Sequence, residues 1–367
     1  MKIKFSNLYK EYFSIKKNID RSMKGVIKNS AFIRGKYVTI FENNFKSKLR
    51  SKYCLTCNNG TDALILTMIS LGLKNNDEVI TTAHSWISSS SSITKAGGRV
   101  VFCDVKKNTF NIDPNDIEKK ITRKTVGIVL VHLYGEPADI IKIKKLAKKN
   151  NLWIVEDCAQ SHFVKYNKKF LGTHGDAGSF SFYPSKILGG FGDSGAIVTN
   201  NKKLYIKALK LAQHGGLRKH IHEFEGFNSR MDGLQAAVLN EKLKILGKLK
   251  KNRKAIAKRY YHNLKNLKNI QLPNTQKIDH GFYLYVIKAE NRNKLKKYLN
   301  KNNIETQIHY PNLLPFLNSY RYLNYKKKDF PNALLNQSKI LSLPMYPQLK
   351  FKEIDYISKK IIAFYSK

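Results

Sequence analysis

The sequence predicts an α/β fold: a large domain around a mostly parallel mixed sheet, followed by a smaller C-terminal α/β domain. Three observations predict it. Short β-branched or apolar runs alternate with helical stretches from residue 53 to residue 157, the pattern of strands joined by helical crossovers. Polar residues follow those runs, and α/β sheets collect their ligands at the carboxyl ends of strands. A long helical pattern after Met231 leads into a second, shorter round of strand and helix.

In order along the chain, residues 1–50 read as mainly helical, with an apolar face at helical spacing over 32–45. Tyr53–Cys57 is the first strand, and 58–73 is a loop opening into an apolar helix. Glu78–Thr82 is the second strand and 86–96 a helix. Residues 99–104, 127–132 and 152–157 are further strands, with helices at 114–122 and 137–150 between them. A short buried strand at 179–182 stops at Pro184 and opens into a loop carrying Gly189, Gly190, Gly192 and Gly195, residues that let a backbone turn and approach a ligand closely. The long helix after Met231 leaves the large domain, which sets the division at 1–250 and 251–367. Beyond it the pattern predicts a strand at 282–287, a helix at 293–302 and a closing helix at 352–364.

Composition narrows the class. The 367 residues are 42% hydrophobic, enough for a globular protein with a sizeable core. No apolar run approaches the roughly 20 residues of a membrane helix, and the start MKIKFSNLYKEY is too polar for a secretory signal. With four cysteines and no disulfide framework, a cytoplasmic location without integral membrane association is expected. Cys54 and Cys57 form a lone CxxC to which Cys103 and Cys158 add no second half, so buried thiols and no metal site are expected. The formal net charge of +41 would suit a nucleic-acid binder. The lysines are spread through every segment, however, with only short runs such as 248–254, and no nucleic-acid partner is expected.

Among so many lysines, most are solvated surface residues. Lys186 differs in its neighbours: an apolar strand before it, glycines after it, and the hydroxyls of Ser179, Ser181 and Ser185 around it. A partly desolvated lysine has its ammonium disfavoured, and the free amine attacks carbonyl carbons. That is Schiff-base chemistry, most often with pyridoxal phosphate. Asn59-Gly60-Thr61 stands at a predicted helix start, either a phosphate site or an ordinary N-cap. Trp86 either stacks on a flat ring or packs in the core. Asp157 ends a buried strand, as a structural cap or as partner to a buried cation.

Together with these residues, the segments GTDAL, DEVITTAHSW, NIDPNDIEKKIT, VHLYGEPADI, EDCAQSH, GDAGSFSFYPSKILGGFGDSGAIVTN, HEFEGFNSRMDGLQAAVL, IHYP and LSLPMYP carry a resemblance over nearly the whole chain. They resemble the DegT/DnrJ/EryC1/StrS family of pyridoxal-phosphate-dependent sugar aminotransferases. The resemblance implies an aspartate-aminotransferase-like fold (fold type I) with the N-terminal helices at a domain or dimer interface. It implies that Lys186 holds pyridoxal 5′-phosphate and shuttles protons, that Asp157 pairs with the pyridine nitrogen, that Trp86 covers a ring face, and that Gln160 approaches the 3-hydroxyl. Gly60, Thr61 and Ser181 would bind the phosphate, with Asn228 reaching it from the partner subunit of a homodimer with shared sites. His162, Tyr183, His309 and Tyr310 are candidate substrate contacts, and His162 is equally readable as an ordinary buried histidine. Arg230 and Asp232 would brace the dimer loop or cap the next helix. One departure stands out: relatives often carry a second histidine about four residues after the tyrosine-proline pair, where this chain has Asn312-Leu313-Leu314-Pro315.

The implied reaction is a two-stage transamination from L-glutamate to a nucleotide-linked keto sugar. Gln160 and VHLYGEPAD resemble the members that aminate C3 of a dTDP-linked 3-keto-6-deoxyhexose for surface polysaccharide. Amination at C4, or of a cyclitol ketone, is the alternative within this chemistry. A sugar 3-dehydratase lacks the lysine that is present here. From another class, a non-catalytic regulatory or binding protein would keep the fold and lose the chemistry.

Overall fold

The computed structural model describes residues 2–218, 220–273 and 279–366. Helices α1 (Leu8–Phe13), α2 (Lys16–Lys28) and α3 (Gly35–Leu49) precede β1 (Tyr53–Cys57). The alternation then runs α4 (Gly60–Ser70), β2 (Glu78–Thr82), α5 (Ser88–Lys95), β3 (Arg99–Cys103), α6 (Pro114–Lys120), β4 (Thr125–Val131), α7 (Ile140–Lys149) and β5 (Trp153–Asp157). A small hairpin, β6 (Lys165–Tyr166) and β7 (Lys169–Phe170), leads to β8 (Ala177–Ser181), β9 (Gly195–Thr199), α8 (Lys202–Leu211) and α9 (Gly233–Leu264). The C-terminal part holds β10 (Ile270–Gln271), β11 (Tyr285–Ala289), α10 (Arg292–Lys301), α11 (Pro331–Lys339), β12 (Ile340–Leu343) and α12 (Phe351–Tyr365).

Seven strands form one sheet in the order β1-β9-β8-β5-β4-β2-β3. From β8 to β3 every pairing is parallel, and β9 is antiparallel to both of its neighbours. The connections explain this. Parallel strands need a long crossover, which α5, α6 and α7 supply among β2, β3, β4 and β5 and the segment carrying the β6–β7 hairpin supplies between β5 and β8, whereas β8 turns back through the glycine loop and pairs antiparallel with β9. Every residue of β2 and of β9 is buried, as expected for strands covered on both faces.

Alternation along β5 splits two carboxylates between opposite faces. Glu156 is fully buried and accepts from His132 Nε2 at 3.1 Å, Gly172 N at 2.8 Å, His174 N at 2.7 Å and Gly175 N at 2.8 Å. Burial alone would raise its pKa, but the His132 bond and the backbone donors lower it on balance. His132 Nδ1 accepts from Ala138 N at 3.1 Å, so its proton sits on Nε2. Cys158 completes a cluster of potential metal ligands here. The carboxylate and both imidazole nitrogens are already engaged, so the cluster reads as a closed hydrogen-bond network. It leaves Asp157, the next residue, facing the other side. All four cysteines are buried and free, and burial pushes their thiols up.

The second sheet, β10-β11-β12, is antiparallel and has its own core, with Tyr260, Tyr285, Ile287, Leu341 and Ile357. Helix α9 runs through both cores: Ala236, Leu239 and Leu243 pack with Phe41 and Phe45, and Ile256, Tyr260 and Leu264 pack in the second. The expected division at 250 therefore falls inside one continuous helix of 32 residues. The chain also crosses it in both directions. Ile3 packs in the second core, while Leu313, Leu314, Tyr320 and Phe330 pack beside Leu64 and Phe102 of the first.

The strand expected at 282–287 lies at Tyr285–Ala289. Gly281 N and Tyr283 N donate to Gly135 O and Tyr134 O at 2.8 and 3.0 Å, and Phe282 has φ 47°, so this stretch pairs with the first sheet's loops instead. Arg253 of α9 clamps it, with Nη1 donating to Phe282 O at 3.1 Å, Tyr283 O at 3.2 Å and Met345 O at 3.2 Å. Among the described residues, no helix is long and apolar enough to cross a membrane.

Candidate active site

The parallel set ends on one edge of the large sheet, and the expected residues assemble there. After β1, Asn59 caps α4 by accepting from Asp62 N at 2.8 Å. The N-cap alternative is thus realised, and it is compatible with an anion site because the first N–H groups of a helix have no helical acceptor. A Cβ at Gly60 would stand 2.6 Å from Ser181 Cβ. Only glycine lets the end of β8 close on the start of α4, which brings the Ser181 hydroxyl to that helix terminus. Gly195 serves the same junction, since a Cβ there would lie 2.3 Å from Asn59 O. Thr61 Oγ1 donates to Ser88 Oγ at 2.8 Å.

After β2 comes Trp86, which is 57% exposed and so is not a core residue. Its ring lies 5.7 Å from that of Tyr310 at a 45° tilt. After β5, Asp157 is 7% exposed. Its Oδ2 accepts from Ser89 Oγ at 2.8 Å and its Oδ1 from Ala159 N at 3.1 Å. Gln160 Oε1 accepts from Tyr134 N at 2.7 Å, and its Nε2 donates to Tyr310 Oη at 3.0 Å. With its oxygen bound to a backbone donor, the amide has a second Nε2 hydrogen to give.

After β8, Lys186 is half-buried, with Nζ 4.7 Å from the centre of the Tyr283 ring. Its backbone N–H donates to Tyr183 O at 2.9 Å. Tyr283 Oη and Ser185 Oγ share a hydrogen bond at 3.3 Å. The glycine loop closes through Gly190 N to Phe182 O at 2.7 Å and Phe191 N to Gln235 Oε1 at 2.7 Å. Tyr183 is exposed beside it.

The segment 308–315 reaches this edge from the second sheet. Tyr310 N donates to His84 Nε2 at 3.1 Å, Tyr134 Oη donates to His309 O, and Leu314 N donates to Ala83 O at 2.9 Å. Burial lowers His84 to about 4, keeping it the neutral acceptor that this contact requires. Burial, then Tyr283, and further Asp157 push the Tyr310 phenol well up. The apolar residues that replace the family's second histidine have a structural use: Leu313 and Leu314 are buried against the first sheet's outer core and anchor the loop that presents Tyr310.

Two histidines stand differently. His162 is 0% exposed between the rings of Phe180 and Phe182, with neither nitrogen hydrogen-bonded. That burial is what the core-histidine reading expects. Burial, with Lys186 nearby, lowers it to about 3. His309 faces the smaller sheet, with Nδ1 2.9 Å from Ser342 Oγ and its ring stacked on Phe5. Asn228 is exposed, while the next residue, Ser229, is buried, donating to Asp62 Oδ2 at 2.7 Å and accepting from Asn58 N at 3.2 Å. Asp232 is the backbone N-cap of α9 without a side-chain cap bond.

Sequence reasoning missed Ser88, Ser89, Tyr134 and Tyr283, and gave His84 a place after the second strand but no role. Ser88 and Ser89 left one trace, a run of serines directly after Trp86. The edge as a whole offers an anion cradle at one end, a buried carboxylate at the other, an open aromatic face, and a primary amine. These donors fit pyridoxal phosphate.

Known proteins give the same picture. The profile of the DegT/DnrJ/EryC1/StrS aminotransferase family matches residues 14–362. The dTDP-3-amino-3,6-dideoxy-alpha-D-galactopyranose transaminase of Aneurinibacillus thermoaerophilus is 38% identical over 360 residues, 98% of each chain. A pleiotropic regulatory protein of Geobacillus stearothermophilus is 36% identical over 368 residues, 100% of this chain and 99% of that one. The crystal structure of S. venezuelae DesV in complex with a ketimine intermediate superposes with a TM-score of 0.97 at 32% identity, covering 100% of this chain and 99% of that one.

Proposed function

Since the chain belongs to the DegT/DnrJ/EryC1/StrS aminotransferase family, we propose that it transfers the amino group of L-glutamate to C3 of a dTDP-linked 3-keto-6-deoxyhexose. The broader statement needs no proposal: the protein is a pyridoxal-phosphate-dependent aminotransferase of nucleotide-linked sugars. Supporting the proposal is one observation above all, that Lys186, Asp157 and the Gly60–Ser181 junction lie on one sheet edge.

Bound pyridoxal phosphate supplies an electron sink for the carbon whose nitrogen is exchanged. With the cofactor bound, Lys186 Nζ would carry a proton between that carbon and C4′ of the cofactor, in one direction in the first stage and in the other in the second. Asp157 would keep a proton on the ring nitrogen, Trp86 would cover the ring, and the remaining Gln160 N–H would approach the 3-hydroxyl. Gly60, Thr61 and Ser181 would hold the phosphate. Tyr310 and Tyr183 border the place where the sugar lies. Support for C3 comes from Gln160 and from the relative named for a 3-amino sugar. With glutamate as donor, dTDP-linked 3-keto and 4-keto sugars offered side by side should give the 3-amino product. Product at C4 alone, or from a cyclitol ketone alone, would overturn the C3 reading. Failure of glutamate to bleach the cofactor's visible band would favour a regulatory role.

The exposure of Asn228 beside the anchored Ser229 supports a homodimer in which Asn228 completes the partner's phosphate site. Mixed dimers of an Asn228→Ala chain and a Lys186→Ala chain should recover measurable activity, since one of their two sites is then intact. No recovery after proven subunit exchange would count against sharing. A smaller test addresses the cradle. Gly60→Ala should weaken pyridoxal phosphate binding by at least about tenfold, roughly the worth of a lost charge-assisted hydrogen bond, read by equilibrium titration. The same reading places the enzyme in the cytoplasm, with the two sheets as two units, 1–250 and 251–367, yoked by α9.

A further inference from the structure

We propose that the first turn of α5 is a caliper that sets the distance between the two ends of the cofactor site, with Ser88 and Ser89 as its jaws. Ser88 Oγ accepts from Thr61 Oγ1 at 2.8 Å, at the phosphate end. Ser89 Oγ donates to Asp157 Oδ2 at 2.8 Å, at the ring-nitrogen end. Adjacent residues of a helix point about 100° apart, so a single rigid turn reaches two walls of the site.

The direction of the two bonds at the ring end follows from proton counting. An ionised carboxylate only accepts, so Ser89 spends its single hydrogen on Asp157. Ser85 Oγ, 3.0 Å from Ser89 Oγ, must then be the donor of that pair. The chain runs Ser85 to Ser89 to Asp157. Ser85 and Ser89 are 3% and 1% exposed, so bulk water does not stand in for either. With Ala159 N on Oδ1, both carboxylate oxygens are held and the group cannot rotate freely.

The turn is itself fixed from behind. Ser90 Oγ accepts from Tyr320 Oη at 2.8 Å in a buried contact, and Tyr320 packs in the core with Phe102 and Phe330. Three consecutive serines thus reach a phosphate-end residue, a ring-end residue and the core. Ser88 and Ser89 are positioning residues that act through Thr61 and Asp157.

This inference rests on the cofactor site proposed above, and its test separates the two. Pyridoxamine phosphate and its dephosphorylated form, pyridoxamine, are titrated by fluorescence against the full-length wild type and the variants Ser88→Ala, Ser89→Ala, Ser89→Thr and Asp157→Ala. Ser88→Ala should weaken pyridoxamine phosphate about tenfold and leave pyridoxamine within about twofold, because only the phosphate end is released. Ser89→Ala should weaken both by about tenfold, and Ser89→Thr, which keeps the hydroxyl, should recover most of that loss. In Ser88→Ala a purely structural role would lower the melting temperature without changing the ratio of the two affinities, and in Ser89→Ala it would lower the melting temperature and leave both affinities unchanged. Equal loss of both ligands in Ser88→Ala, or unchanged affinities in Ser89→Ala while Asp157→Ala is impaired, would overturn the caliper. Wild-type affinity for both ligands in Asp157→Ala would instead overturn the cofactor site.

Discussion

Lys186→Ala should abolish amino transfer, with a loss of at least about 10⁴-fold, the upper range for a positioned acid–base group, while the protein stays folded. The stability half follows from its surroundings. Lys186 is half-buried and its ammonium rests over the Tyr283 ring, a contact worth about 0.5–2 kcal/mol. Truncation leaves no buried polar partner behind. The catalytic half follows from chemistry: no other amine takes the place of Nζ at the carbonyl carbon or at the carbon that exchanges its proton. Lys186→Arg should not rescue, because a guanidinium stays protonated. Borohydride reduction followed by peptide mass analysis checks the attachment point, and a stopped-flow glutamate half-reaction checks the rate. Turnover of Lys186→Ala at the wild-type rate would remove the assignment.

Asp157→Ala should cost both stability and rate, and the two losses should separate. Its carboxylate holds the Ser89 hydroxyl and the Ala159 N–H. Removing it orphans both donors, at about 1–3 kcal/mol for each buried unsatisfied group. Asp157→Asn keeps an oxygen for one of those donors and should regain part of the melting temperature. It should not regain the rate, since a neutral amide cannot balance a protonated ring nitrogen. A rate loss of about 10²–10³-fold, similar to that for removing one preorganised electrostatic partner, is expected for both variants. A wild-type rate in Asp157→Asn would show that the ring nitrogen needs no anion here.

Much of this site was legible in the sequence because the relevant signals are local. Each strand ends where its apolar run ends, so the sequence alone sets Gly60, Trp86, Asp157 and Lys186 on one edge. The illegible parts are contacts between distant segments that leave no periodicity. Tyr283 meets Lys186 because residues 281–283 give their backbone bonds to the 134–135 turn, and that choice also displaced the expected strand by several residues. Tyr310 reaches Gln160 and His84 across 150 and 226 positions. Where relatives often carry a second histidine, this chain has Asn312-Leu313-Leu314-Pro315. Burial of Leu313 and Leu314 shows how apolar side chains can anchor the same loop by packing. The long helical pattern after Met231 sets the division at 250, and in the structure that helix continues unbroken across the boundary from one core into the other.

Helix α9 has a mechanical consequence. A rod of 32 residues is about 48 Å long at 1.5 Å per residue, and here its two ends are set in separate cores. A swing of one sheet against the other would bend that rod between its clamps and part Gly281 and Tyr283 from their backbone bonds to Gly135 and Tyr134. The helix thus works as a strut that holds the two sheets at a fixed spacing.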